Sequence, residues 1–416
     1  MKKLIVLYII LIPLNLFSQS AQWRGPERNG IYPDTALMKI WPEAGPELLL
    51  KVSGIGEGFS SGVESDGIIY ITGKKDSLDY LSAINEDGQI LWQVPYGKAW
   101  NKTYADSRCT PTVEENRVYV ISGTGKLSCL DAKTGKKNWA IDVDKVYESD
   151  YHLFGLAESP LIVDDLVIST PGGKKTTMVA FNKYSGELVW QSQSIESRRS
   201  YASPVLFEYK DIRLILGFTS KDLIGVNPES GEIVWTYPYY LHSVETGVEE
   251  IGINLTNTPI FKDNEIFITS GYDCPSVMLT LSEEGNSVTE KWINPTLDNH
   301  HHGVVLFEGH IYGSNFYNNR YGKWVCLNWD TGEVMYLTDW KNKGTLILAD
   351  GMLYIYEEKS GFVGLAKPDP DQFEVVSSFQ IREGKGPHWS HPSVYNGKLF
   401  IRHGDVLMVY DIKAAN

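Results

Sequence analysis

The stretch FNKYSGELVW, Phe181–Trp190, recurs along the chain as LDAKTGKKNW (130–139), VNPESGEIVW (226–235) and LNWDTGEVMY (327–336), with a shorter INEDGQILW at 84–92. In each, Asp or Asn opens a tight turn, a glycine closes it, and an aromatic residue follows four positions later. Asx side chains bond to the backbone just downstream, and glycine takes the positive φ that ends such a turn, so each copy reads as a turn between two strands. The tryptophans at 92, 139, 190 and 235 lie 45 to 51 residues apart, and Trp292 extends the series. A period of this length marks a repeat architecture rather than a series of independent domains.

A second pattern precedes every turn: a small or proline-bearing start, an apolar strand, a polar turn and another apolar strand. Its eight copies are SSGVESDGIIYITG (60–73), TPTVEENRVYVISG (110–123), SPLIVDDLVIST (159–170), SPVLFEYKDIRLILG (203–217), TPIFKDNEIFITSG (258–271), HGVVLFEGHIYGS (302–314), GTLILADGMLYIY (344–356) and HPSVYNGKLFIRHG (391–404). Alternating Val, Ile, Tyr and Phe interrupted by Asp-Gly or Asn-Gly makes hairpins. Each unit is therefore a four-stranded antiparallel sheet. One sheet cannot bury both faces, whereas eight arranged radially can. The expected fold is all-β, an eight-bladed propeller. The last copy is followed only by VLMVYDI (406–412), so its outer strand is expected from ELLLKV (47–52), which closes the ring. The repeat tryptophan is read as a spacer between blades, and Cys129 and Cys326, in a small-residue slot also held by Ala180 and Gly225, as buried thiols.

The expected organisation is a signal peptide at 1–20 and one propeller domain at 21–416. Lys2 and Lys3 precede an apolar run from Leu4 to Phe17, which is shorter than the roughly 20 residues that span a bilayer, and Ser18 and Ser20 suit cleavage. A cleaved, periplasmic or secreted protein without a membrane anchor follows from that reading. The formal charge of −14 argues against nucleic-acid partners. The four cysteines form no CxxC and no adjacent pair, which excludes thioredoxin-type, c-haem and zinc-ribbon chemistry. No GxSxG, P-loop or HExxH occurs either.

The repeat Ala/Gly-x-Asp/Asn-x-x-Ser/Thr-Gly-x-x-x-Trp resembles the pyrroloquinoline-quinone-like (PQQ-like) propeller repeats found in quinoprotein dehydrogenases and in the assembly protein BamB. The stretch QWRGPERNG at 22–30 is similar to the opening of exported PQQ-like propeller proteins, and the resemblance covers about 22–412. It implies the propeller fold and leaves function open, because the repeat is a packing motif. Quinoprotein dehydrogenases of this family clamp the quinone under an adjacent-cysteine disulfide and hold calcium with carboxylates. This chain has no such cysteine pair, so no cofactor is expected, neither PQQ nor calcium.

In a propeller the residues just before each innermost strand ring one mouth of the channel. Here they include Arg108, Glu158, Tyr201, Asn257, Asn299, His301, His302, Lys343, His388, Trp389 and His391. Five of the nine histidines fall in Asn299–Gly303 or His388–His391. Such a polar, aromatic funnel is expected to bind a small molecule or glycan fragment, with Glu158, Asn257, Asn299, Lys343, His388, Trp389 and His391 as ligand contacts. An enzymatic alternative gives catalytic roles to His301, His302, Arg108 and Tyr201. There Arg108 or Lys343 neutralises a uronate while a histidine or Tyr201 takes the proton in β-elimination. Clustered imidazoles can also bind a transition metal, but the sequence places no carboxylate with them, so no metal site is expected. A PQQ-dependent dehydrogenase and an envelope-assembly scaffold with envelope-protein partners are the remaining alternatives.

Overall fold

The computed structural model describes residues 20–151, 153–245, 247 and 252–415. The signal-peptide expectation falls on 1–20, of which all but Ser20 lie outside them. Eight antiparallel sheets follow one another along the chain, at 63–98, 112–142, 161–191, 205–237, 260–294, 305–338, 344–380 and 393–411. They are numbered here as blades one to eight. Only one α-helical turn, Val143–Tyr147, and one 3-10 turn, Tyr239–His242, interrupt the strands among the described residues. Blade eight is completed by Glu47–Ser53, which pairs antiparallel with Val406–Asp411 as its outer strand, as the ELLLKV stretch predicts.

The repeat motif explains how neighbouring blades are fastened. In blade three, Asn182 Oδ1 accepts the amides of Tyr184 and Ser185, and the Gly186 amide returns to the Asn182 carbonyl at 2.8 Å. The turn glycine then lies flat against the tryptophan of the preceding blade: Gly135 on Trp92, Gly186 on Trp139, Gly231 on Trp190 and Gly332 on Trp292. Each of these indoles also donates into the next blade, to Ala132 O at 3.2 Å, Lys183 O at 3.1 Å, Pro228 O at 2.9 Å and Trp329 O at 3.0 Å respectively. The small-residue slot lies across the sheet from the tryptophan, pairing Cys129 with Trp139, Ala180 with Trp190 and Gly225 with Trp235. All four cysteines are free and buried.

One element lies outside the repeat pattern. Residues 20–32 do not wrap the outside of the ring. Ala21 bridges Val113 in blade two, and the Trp23 indole donates to Thr258 Oγ1 beside blade five. Arg24 reaches Val304 O just before blade six and Leu346 O in blade seven. Arg28 reaches Ser159 O and Pro204 O, before blades three and four. Ile31–Tyr32 adds a fifth, parallel strand to the inner edge of blade seven. A segment this short that touches the inner edges of so many blades must lie on the ring axis, so it plugs the central channel.

Candidate functional site

Above the plug, the mouth narrows to a cavity of about 350 Å³. Its walls come from the loops that lead into the innermost strands. Phe59, Arg108, Tyr201, Asn254, His300, His301, Lys343, Trp389 and His391 all line it, together with Tyr104, Phe154, Tyr272, Glu358 and the plug residue Trp23. The aromatic side chains form a continuous girdle. Phe59 meets Trp389 at 5.2 Å between ring centroids, Trp389 meets Tyr104 at 5.4 Å, and Tyr104 and Tyr201 each meet Phe154 at 5.7 Å.

Two cations enter this wall. Arg108 gives two of its five donors to the carbonyls of Phe154 and Tyr104. Lys343, 1% exposed, bonds the Asn318 carbonyl, lies 4.3 Å from the Phe316 ring centroid and sits 3.4 Å from Glu358 Oε1. Burial pulls its ammonium below the usual lysine range, with Glu358 opposing that shift. Burial likewise pushes the Glu358 carboxyl up, but the hydrogen bond from His302, the charge of His302 and that of Lys343 outweigh it and hold the carboxyl low. His302 Nε2 lies 3.0 Å from Glu358 Oε2.

Three of the mouth histidines are held neutral, chiefly by burial. Burial, then the charge of a neighbouring His302 or Arg24, keeps His300, His301 and His391 well below the ordinary imidazole range. Arg24 can only donate, so His391 Nδ1 accepts from it at 3.1 Å, and His391 Nε2 must carry the proton it gives to His301 O at 2.9 Å.

The sequence-selected residues thus divide. Arg108, Tyr201, His301, Lys343, Trp389 and His391 converge on the cavity. His302 is fully buried behind it, on Glu358. Asn257 and Asn299 are scaffold amides. Asn257 Nδ2 donates to Asn299 O at 2.7 Å and His300 O at 2.8 Å, and Asn299 Nδ2 donates to Ser314 O at 2.6 Å. His388 packs away from the cavity, stacked on His403 at 3.7 Å and bonded to the Tyr356 hydroxyl. Glu158 accepts from the Thr170 amide at 3.0 Å and lies 3.9 Å from Arg199, buried outside the cavity wall. The Tyr201 hydroxyl accepts from the Phe154 amide, and burial raises its phenol above the usual range, which opposes a role as base.

Glu358, Trp23 and Arg24 escaped the sequence reading. Glu358 lies in the tight turn between the second and third strands of blade seven, Met352–Glu357 and Phe362–Lys367, and not in a loop that leads into an innermost strand. Nothing in the local pattern of Trp23 and Arg24 says that they enter the channel.

The family model described as outer membrane protein assembly factor BamB matches residues 75–320, more than half of the chain. BamB of Shewanella oneidensis is 25% identical over 177 residues, covering 41% of each chain. The quinohemoprotein alcohol dehydrogenase ADH-IIG of Pseudomonas putida is 26% identical over 140 residues, 31% of this chain and 18% of the dehydrogenase. The matched stretches therefore span less than half the length of either relative. Among solved structures, BamB from Moraxella catarrhalis superposes with a TM-score of 0.61 at 17% identity, covering 88% of this chain and 99% of BamB. The quinohemoprotein alcohol dehydrogenase of Comamonas testosteroni gives 0.62 at 12% identity, covering 94% and 80%. These superpositions report the fold. With its eight blades, four of them stapled to the next by an indole, and the match across more than half of its length, the chain belongs to the PQQ-like repeat family represented by the outer membrane protein assembly factor BamB.

Proposed function

We propose that the protein is an exported binding protein that takes an acidic small molecule or glycan fragment in the mouth cavity. The observation that carries this reading is the convergence of Arg108 and Lys343 on one aromatic-walled cavity of about 350 Å³. That volume falls in the range of small-ligand sites. Trp389, Tyr104 and Phe59 offer faces for a sugar ring, and the two cations offer charge-assisted bonds to a carboxylate. Glu358 offsets one of the two positive charges, so a single carboxylate completes the balance.

The residues do not suit a calcium-held quinone. Calcium asks for six to eight oxygen ligands. Glu358 is the one carboxylate lining the cavity among the described residues, which leaves calcium far short of that number. Cys109, Cys129, Cys274 and Cys326 are separate buried thiols, so no adjacent-cysteine clamp exists.

The test is calorimetric titration with oligouronates and with neutral oligosaccharides of the same length. Oligouronates should bind, and Arg108→Met and Trp389→Ala should each weaken binding at least about tenfold, the effect of losing one interaction worth roughly 1.4 kcal/mol. Equal affinity for the neutral series, or full affinity in Arg108→Met, would overturn the proposal. The BamB match supports a second, compatible reading in which the outer face meets an envelope protein. Co-purification of one defined outer-membrane partner with the wild-type chain would test it.

A further inference from the structure

Beneath the same cavity, donor atoms of His301, His302 and Glu358 lie within 4.8 Å of one another. We propose that these three side chains bind a divalent transition metal of the zinc class, with an open coordination position facing the cavity.

Two imidazoles and one carboxylate are a donor set for zinc-like ions, which take three protein ligands and keep a fourth place for water or substrate. The atoms are poised but not satisfied. His301 Nε2 is buried without a hydrogen-bond partner, and the fully inaccessible His302 presents its Nε2 to Glu358. Native proteins rarely leave buried polar atoms in that state. Zinc–nitrogen bonds of about 2.0–2.1 Å place tetrahedral donors roughly 3.3 Å apart. His302 Nε2 and Glu358 Oε2 are already at 3.0 Å. His301 Nε2 is 4.0 Å from the same oxygen, and its ring, the one partly exposed member of the three, can rotate to close the gap.

The supporting shell fits as well. With the metal on Nε2, the His301 Nδ1 proton points at His300 Nδ1, 3.0 Å away, the kind of second hydrogen bond that orients a metal-bound imidazole. The loop backbone is pinned from both sides. His391 donates to His301 O, Asn257 Oδ1 accepts the Gly303 amide at 3.1 Å, and Asn299 Oδ1 accepts the His302 amide at 3.2 Å. One group opposes a second cation, the Lys343 ammonium 3.4 Å from Glu358 Oε1. It already contacts the Asn318 carbonyl, onto which it can retreat. Removing it should therefore tighten metal binding, an outcome that a merely structural His–Glu–Lys network would not produce.

This inference extends the reading of the cavity without depending on it, and its test contains no organic ligand, so the two can fail separately. Tag-free protein is stripped with chelator, then titrated with zinc chloride by calorimetry and with cobalt chloride by visible absorption. The wild type should take one equivalent and give the intense d–d bands of four- or five-coordinate cobalt. Glu358→Gln and His301→Asn should each weaken binding beyond the roughly 10–100-fold cost of losing a supporting bond. Lys343→Met should tighten it several-fold, and His242→Asn, which is not part of the cavity wall, should leave it unchanged. His301→Asn decides the matter if Glu358→Gln loses its native melting curve. Absence of binding to folded wild type, full binding in His301→Asn, or weaker binding in Lys343→Met would overturn the proposal.

Discussion

Replacing Arg28 with lysine tests whether the N-terminal segment is a structural plug. Arg28 is 1% exposed and its guanidinium donates to Gln22 Oε1 at 2.7 Å, Pro204 O at 3.0 Å, Ser159 O at 3.1 Å and Thr112 Oγ1 at 3.4 Å, as well as to Pro160 O. Burial pulls it down to about 9, with Glu158 opposing, so it is charged at neutral pH. Lysine keeps the charge, and with it the burial cost, but its single nitrogen offers three donors and cannot span the fork. Pro160 O keeps a partner in Thr112, whose hydroxyl donates to it at 2.6 Å. A single nitrogen cannot reach all four remaining acceptors, and stranding two of them at about 1–3 kcal/mol for each buried orphan costs roughly 2–6 kcal/mol. An unfolding entropy of about 2.1 cal/mol/K per residue converts this to a fall of roughly 2–7 °C in Tm for a chain of this size. Calorimetry measures that fall, and hydrogen exchange on the 20–32 peptide shows whether the plug loosens first. An unchanged Tm together with fast exchange of that peptide in the wild type would refute an axial plug.

Three further outcomes follow from the blade packing and the loops. Gly225 has an ordinary strand conformation, yet a methyl there would overlap the Trp235 indole, so Gly225→Ala should cost about 1–3 kcal/mol in urea unfolding and be partly rescued by Trp235→Phe. Trp190→Phe should be more destabilising than Trp235→Phe by roughly 1 kcal/mol, because the Trp190 indole bonds Pro228 O whereas the Trp235 nitrogen has no partner. Burial pushes Asp298 up to about 7, against the bonds it accepts from the Phe316 and Asp273 amides. Its folded value lies above its unfolded one, so its contribution is fully present below about pH 4 and is lost as pH rises to about 7. The Tm advantage of wild type over Asp298→Asn should therefore shrink between pH 5 and pH 8, and a constant difference would count against the raised value.

The ring itself was legible because propeller packing is periodic. A turn glycine and a tryptophan recur at similar spacing since an indole stacked on the next blade's turn fastens four of the junctions, and the ELLLKV closure follows from counting strands. The mouth was legible by position, since the loop before every inner strand opens at one end. Its chemistry was not. Asn257, Asn299 and His388 share that position with His301 and Lys343, yet their polar groups turn toward backbone or a neighbouring ring, and only side-chain direction separates the two sets. The plug was the least legible part, because Arg24 and Arg28 are anchored by backbone carbonyls, which leave no complementary residue in the sequence.

An acidic protein that binds an acidic ligand looks self-defeating, and the magnitudes decide the matter. At physiological ionic strength the Debye length is about 8 Å, so a surface charge some 20 Å from the cavity acts on a bound anion with only about 0.02 kcal/mol in water. The whole surplus of 14 negative charges then amounts to a few tenths of a kcal/mol. A carboxylate about 4 Å from Arg108 or Lys343 gains roughly 4 kcal/mol at an effective dielectric of 20, before its own desolvation is subtracted. The local cations win, and the girdle of Phe59, Trp389, Tyr104 and Phe154 strengthens them by excluding water. Salt should therefore change oligouronate affinity little. Raising sodium chloride from 50 to 500 mM should shift Kd by less than about tenfold, whereas a site built from exposed surface lysines would lose far more. A steep salt dependence in the titration would place the ligand on the outer rim and not inside the mouth.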